Sequence, residues 1–137
     1  MTRILAAAAF AALLLATPAA AQMGQGGGQP LVGWKELDSY HMLMMATWHP
    51  VKQQGELAPL RELAPKMVAA AEAIVGSTAP ATCDTPELKQ AGQTLVTETK
   101  KVATMVEQKA NDALLALAMV KLHDQFEVLQ KGCRHGK

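Results

Sequence analysis

Aromatic residues are scarce in this chain, with two Trp, one Tyr and two Phe among 137 positions. A wide cofactor pocket walled by rings is hard to build from so few. Cysteine is scarcer still, at two residues, Cys83 and Cys133. No CxxCH pair can be drawn from them, which excludes covalent c-type haem. Period-two runs of β-branched residues are absent, so nothing argues for a sheet. Excess charge of one sign is also missing. Lys and Arg number 13 against 12 Asp and Glu, and Arg3 lies in a segment expected to be removed. Without a basic face there is nothing to neutralise phosphates, so nucleic acid is not an expected partner. There is no Gly-rich phosphate loop, no nucleophile elbow and no HExxH, so an enzyme is not expected.

What is present begins with a leader. Arg3 is followed by the apolar run Ile4 to Leu15, too short to cross a bilayer, and then by Pro18-Ala-Ala-Ala21. This is the pattern of a secretory signal peptide over residues 1–21, cut before Gln22, and it predicts a periplasmic protein. Residues 22–33 hold the run Gly24-Gln-Gly-Gly-Gly-Gln29 and read as a flexible tether. No later stretch is long enough to serve as a membrane anchor. About 116 residues remain after the leader, enough for one domain.

Ala, Leu, Met, Lys, Glu and Gln dominate that domain, which favours helix. The spacing predicts helix 1 from Trp34 to Trp48, stopping at His49-Pro50 because the residue before proline is pushed out of the α region. Its inward seam is read as Leu37, His41, Met44 and Trp48. Helix 2 is predicted from Leu57 to Val75, with Pro59 in its first turn, a kink or restart at Pro65, and Gly76 as terminator. Thr85 caps helix 3, which starts with Pro86 and runs to Gln108; Leu88, Leu95, Val102 and Val106 are read as inward. Asn111 caps helix 4, which is predicted to run to Lys131 and end at Gly132. Its seam is Leu115, Leu122, Phe126, Leu129 and Cys133. Short connections give an all-α, antiparallel up-down-up-down four-helix bundle over residues 34–134. In that topology the helix 2–3 loop and the end of helix 4 share one end of the bundle. A Cys83–Cys133 disulfide is therefore expected, as suits an oxidising compartment.

The densest chemistry lies in Ser39–Pro50, which holds three of the chain's eight methionines and two of its four histidines. On a helix, His41, Met45 and His49 recur every four residues and share a face. Met119, His123 and Glu127 repeat the spacing on helix 4. In an antiparallel pair with equal rise per residue, about 1.5 Å, and with Trp34 set level with Cys133, residues at one level have numbers that sum to about 167. His41 then lies level with Phe126, and His123 with Met44. Imidazole, thioether and carboxylate are transition-metal donors, so His49, His123, Glu127, His41 and Met45 form the expected ligand pool between helices 1 and 4. His135 lies beyond the last helix and reads as an exposed tail residue.

The chain resembles a group of small exported bacterial four-helix bundles, similar in shape to cytochrome c′ and the b-type four-helix cytochromes but lacking CxxCH. The resemblance rests on Trp48-His49-Pro50, on Gly55-x-Leu57-x-Pro59-Leu60, and on Leu122-His123-Asp124-x-Phe126 with Cys133 shortly after. It covers about residues 36–133. It implies a site in or at the end of the bundle using His49 and His123. It also implies a further histidine after the phenylalanine, where this chain has Glu127.

Three functions are compatible with these features. The first is a periplasmic protein that sequesters or delivers a transition metal. Mixed imidazole and thioether would favour copper, and imidazole with carboxylate would favour zinc. The second is a haem b electron-transfer bundle with a Met–His axial pair. The third is a cofactor-free helical module for a periplasmic protein partner.

Overall fold

A computed structural model describes residues 32–135, without the side chain of His135. The predicted leader over 1–21, nearly all of the tether over 22–33, and the exposure of His135 lie outside the described residues. Four helices follow in chain order: α1 (Lys35–Gln54), α2 (Ala58–Gly76), α3 (Pro86–Glu107) and α4 (Asp112–His135), with a 3-10 turn at Ala81–Cys83 before α3. There is no strand among the described residues. None of the helices there is long and apolar enough to cross a membrane.

Each helix packs on its chain neighbours, and α4 returns to α1, which closes a four-helix bundle. Contacts at the helix ends tie the two ends of the bundle. The Trp34 indole N–H before α1 donates to Ser77 Oγ after α2 at 2.9 Å. At the opposite end, Arg61 near the start of α2 donates to the Ala110 carbonyl at 3.1 Å and pairs with Asp112 at 2.8 Å. Cys83 and Cys133 are disulfide-bonded, with Cα atoms 4.6 Å apart, inside the range a disulfide spans. The two predicted caps are in place. Thr85 Oγ1 accepts from Leu88 N at 3.2 Å, and Asn111 Oδ1 accepts from Leu114 N at 3.0 Å.

Three helices run past a local break or stop signal. α1 does not stop at His49-Pro50 but continues to Gln54 with Pro50 inside it. A proline in a helix interior costs about 3 kcal/mol. That cost is offset just beyond it: the next residue, Val51, is buried, and Gly55, at φ 66°, closes the helix by donating to Val51 O at 3.0 Å. α2 likewise continues as one helix through Pro65. α4 passes Gly132 and runs to His135. Gly132 is not a terminator there; it packs against Leu88 of α3, whose side-chain end would have to shift to admit a side-chain carbon at this position.

The core phase of α4 is as read: Leu115, Leu122, Phe126, Leu129 and Cys133 are all buried, together with Met119. The α1 phase is different. Its buried residues are Leu37, Tyr40, Met44, Thr47 and Val51, which leaves His41 and Trp48 at the edge of the seam. On α3, Leu88 and Val106 sit at the margin, and Ala91, Gly92, Leu95, Thr99 and Val102 face inward. The rotation of α1 puts a phenol at the centre of the bundle. It is tolerated because its hydroxyl is satisfied: Tyr40 Oη lies 2.8 Å from Thr99 Oγ1, which itself donates to Leu95 O at 2.7 Å. This link crosses the bundle from α1 to α3.

Burial raises the Tyr40 phenol far above its ordinary range, and the bond to Thr99 opposes the shift only partly. Tyr40 is the sole tyrosine, so an alkaline titration followed at the tyrosinate band reports on it alone. We expect the phenol to stay protonated through about pH 10, the ordinary tyrosine value, and to ionise only as the bundle opens. A raised folded pKa means that the folded chain holds this proton longer than the unfolded chain. Its contribution to stability is thus complete below about pH 10 and falls by about 1.4 kcal/mol per pH unit above it. Reversible ionisation near pH 10 with helicity intact would show that the phenol is not enclosed.

Candidate metal centre

The four helix pairs are unequal. α1 and α4 pack together far less extensively than the other three neighbouring pairs. The looseness leaves a cleft of about 360 Å³ between them, opening to solvent. All five residues of the expected ligand pool, His41, Met45 and His49 from α1 and His123 and Glu127 from α4, line this one cleft. Met119 does not: it is fully buried in the core one turn away. The antiparallel register is also as expected, since the His41 ring stacks on Phe126 with centroids 5.4 Å apart and planes 8° apart.

The donors are arranged as pairs one helical turn apart. On α1, His49 Nε2 lies 3.2 Å from Met45 Sδ. The other ring nitrogen, Nδ1, lies 3.1 Å from the side-chain amide nitrogen of Gln53, another turn along. An amide can offer either its N–H or, after a flip, its carbonyl. As placed, the amide N–H donates to Nδ1 and Nε2–H faces the thioether; a flip that turns the carbonyl to Nδ1–H would move the ring proton to Nδ1 and free the Nε2 lone pair beside the thioether. On α4, His123 Nε2 stands 3.9 Å from Glu127 Oε1, and His123 Nδ1 stands 3.8 Å from Asp124. Glu127 Oε2 is held by Lys131.

Trp48 of α1 reaches across to the α4 pair. Its indole stacks on His123 at 4.5 Å with planes 19° apart, and Lys52 Nζ sits 5.7 Å from its ring centroid, within cation–π range. Among the described residues, no three His, Cys, Asp or Glu side chains stand close enough to hold a metal ion. A shared site therefore needs Trp48 and the side chains around it to rearrange. Breaking one aromatic stack costs about 0.5–1.5 kcal/mol, small against the free energy of a metal–imidazole bond.

Protonation favours donor behaviour at both edges. Burial holds the His41 imidazole below the usual histidine range; nearby Asp38 opposes this, and the positive charge of Arg134 reinforces it. The hydrogen bond from Lys131 holds the Glu127 carboxyl below the usual carboxylate range. The cleft thus offers a neutral imidazole and an ionised carboxylate near neutral pH.

No protein-family model, curated protein or solved structure matches this chain. The site must be read from its own chemistry.

Trp48, Lys52, Gln53 and Gln130 line the cleft beside the expected donors. Sequence reading missed the roles of Lys52 and Gln53 because it ended α1 at Trp48. Continued one turn, the helix would have placed Gln53 four residues after His49 and Lys52 four after Trp48. Nothing in the sequence pattern announces Gln130, a polar residue on the flank of an otherwise apolar seam.

Proposed function

We propose that this protein is an exported, periplasmic metal-binding bundle that sequesters or hands over copper or zinc in the α1–α4 cleft. The observation that carries this reading is the convergence of three imidazoles, a thioether and a carboxylate on one solvent-open cleft, at the junction where the bundle packs least tightly. Imidazole, thioether and carboxylate together span the donors preferred by copper and zinc. The leader pattern over residues 1–21 supports export. The protein's own residues bind and orient: His49 and Met45 from one wall, His123 and Glu127 from the other, with Gln53 setting the His49 tautomer and His41 at the Phe126 end.

Thermal melts test this. Because the site does not exist in the unfolded chain, an ion that fits it must stabilise the fold. At free metal one hundred times the dissociation constant the gain is about 2.7 kcal/mol, a rise in midpoint of about 10–20 °C for a domain of this size. We expect the rise with copper or zinc and its loss in a His49→Ala, His123→Ala double variant that still folds. Haem is included in the same series. A rise with haem alone would favour an electron-transfer bundle, and no rise with any addition would leave a module that binds a protein partner.

A further inference from the structure

The two donor pairs of the cleft differ in their readiness to take an ion. On the α1 wall, Met45 Sδ and His49 Nε2 already stand 3.2 Å apart. Metal–sulfur and metal–imidazole bonds are about 2.3 and 2.0 Å long, so two such donors on one ion sit about 3–4 Å from each other. The pair is thus at chelating separation before any ion arrives. Met45 is 41% exposed, so its thioether is reachable from the cleft and is not enclosed as core filler. Neither donor is tied to a competing charge: the contacts of His49 are the thioether and the uncharged Gln53 amide.

The α4 wall is less ready. Glu127 is engaged by Lys131, and its other oxygen stands 3.9 Å from His123. The His123 ring is covered on one face by Trp48. A hard or borderline dication that needs the carboxylate must compete with an ammonium for it. A soft monovalent ion that needs sulfur and nitrogen meets no such competitor on α1.

Resting on the metal-binding reading, we propose that the cleft is selective for monovalent copper, with Met45 Sδ and His49 Nε2 as the primary chelate and His123 as the donor that closes the site from α4. Thioether sulfur is a soft donor that prefers Cu(I) and contributes little to Zn(II). The site therefore discriminates through Met45, whereas a zinc site would discriminate through Glu127. The coordination step changes no oxidation state. Copper enters as Cu(I), displaces the His49 Nε2 proton through the tautomer shift to Nδ1, and accepts the two lone pairs.

The test uses the full mature protein and two variants, Met45→Leu and Glu127→Gln, each checked for retained helicity. Cu(I) affinity is measured anaerobically by competition with a chromogenic Cu(I) chelator. Zn(II) affinity is measured in parallel with a zinc indicator. We expect Met45→Leu to weaken Cu(I) binding by about tenfold or more while Zn(II) binding changes less than about twofold. Glu127→Gln should weaken Zn(II) binding more than it weakens Cu(I) binding, the reverse of Met45→Leu. The proposal is overturned if Met45→Leu leaves Cu(I) affinity intact, or if it lowers both metals alike; metal binding itself then stands with a different ligand set. If wild-type protein binds neither ion, the reading beneath it fails as well.

Discussion

Replacing Cys83 and Cys133 together by alanine is expected to lower the unfolding free energy by about 4 kcal/mol and the melting midpoint by about 15–30 °C. The bridge joins residues 50 apart in sequence, so the loop it closes contains all of α3 and nearly all of α4. Cross-linking a loop of that length removes much of the freedom of the unfolded chain. Both cysteines are buried against the core, so alanine also loses some packing. The bridge further accounts for the length of α4, because it ties the turn after Gly132 to the 3-10 turn at Ala81–Cys83. The last turn of α4 should therefore lose protection from amide exchange in the variant, while α1 and α2 keep theirs. Urea unfolding of the two proteins, followed by helical circular dichroism, gives the free energies. A loss below about 1 kcal/mol would show that the bridge is not what restrains this end of the bundle.

Phe126→Ala should cost about 3–5 kcal/mol, the range for deleting a buried phenyl ring. Phe126 sits at the α1–α4 junction, which the Trp48–His123 stack also bridges. Its ring lies 5.7 Å from Tyr40 and stacks on His41. Removing it takes away both the core contact and the platform of His41. Phe126→Leu restores part of the volume without the stack and should cost about 1–2 kcal/mol. Leu117→Ala is the control: Leu117 is 62% exposed on the same helix and should change stability by no more than about 0.5 kcal/mol. If Phe126→Ala costs no more than this control, the cleft is not organised around the ring. If the stability loss appears and metal affinity survives unchanged, His41 acts outside the ligand set and the other four donors suffice.

The sequence by itself determined the four helices, their order, the two side-chain caps, the disulfide and the phase of α4. These are local or near-local matters. Thr85 and Asn111 announce helix starts whatever packs above them. The α4 seam recurs through Leu115, Leu122, Phe126, Leu129 and Cys133, and these are buried, while Leu114, Leu117, Val120 and Val128 on the same helix are exposed. The α1–α4 register followed from equal rise per residue once Trp34 is set level with Cys133, and His41 on Phe126 obeys it.

Tertiary structure decided the rest. α1 carries large apolar groups nearly all round, in Tyr40, Met42, Leu43, Met44, Met45 and Trp48, so its periodicity does not choose between His41 and Tyr40 for the centre. The choice fell to Tyr40 because Thr99, fifty-nine positions away on α3, satisfies its hydroxyl. Pro50 is a stop signal read locally, yet α1 passes it because burial of Val51 and the Gly55 cap outweigh the missing hydrogen bond. Gly132 is a stop signal for the same local reason, yet it serves as the contact point with Leu88. The cleft itself exists because α1 and α4 close the bundle loosely. How tightly a pair of helices closes depends on side-chain shapes from all four helices packing at once, which no local pattern carries.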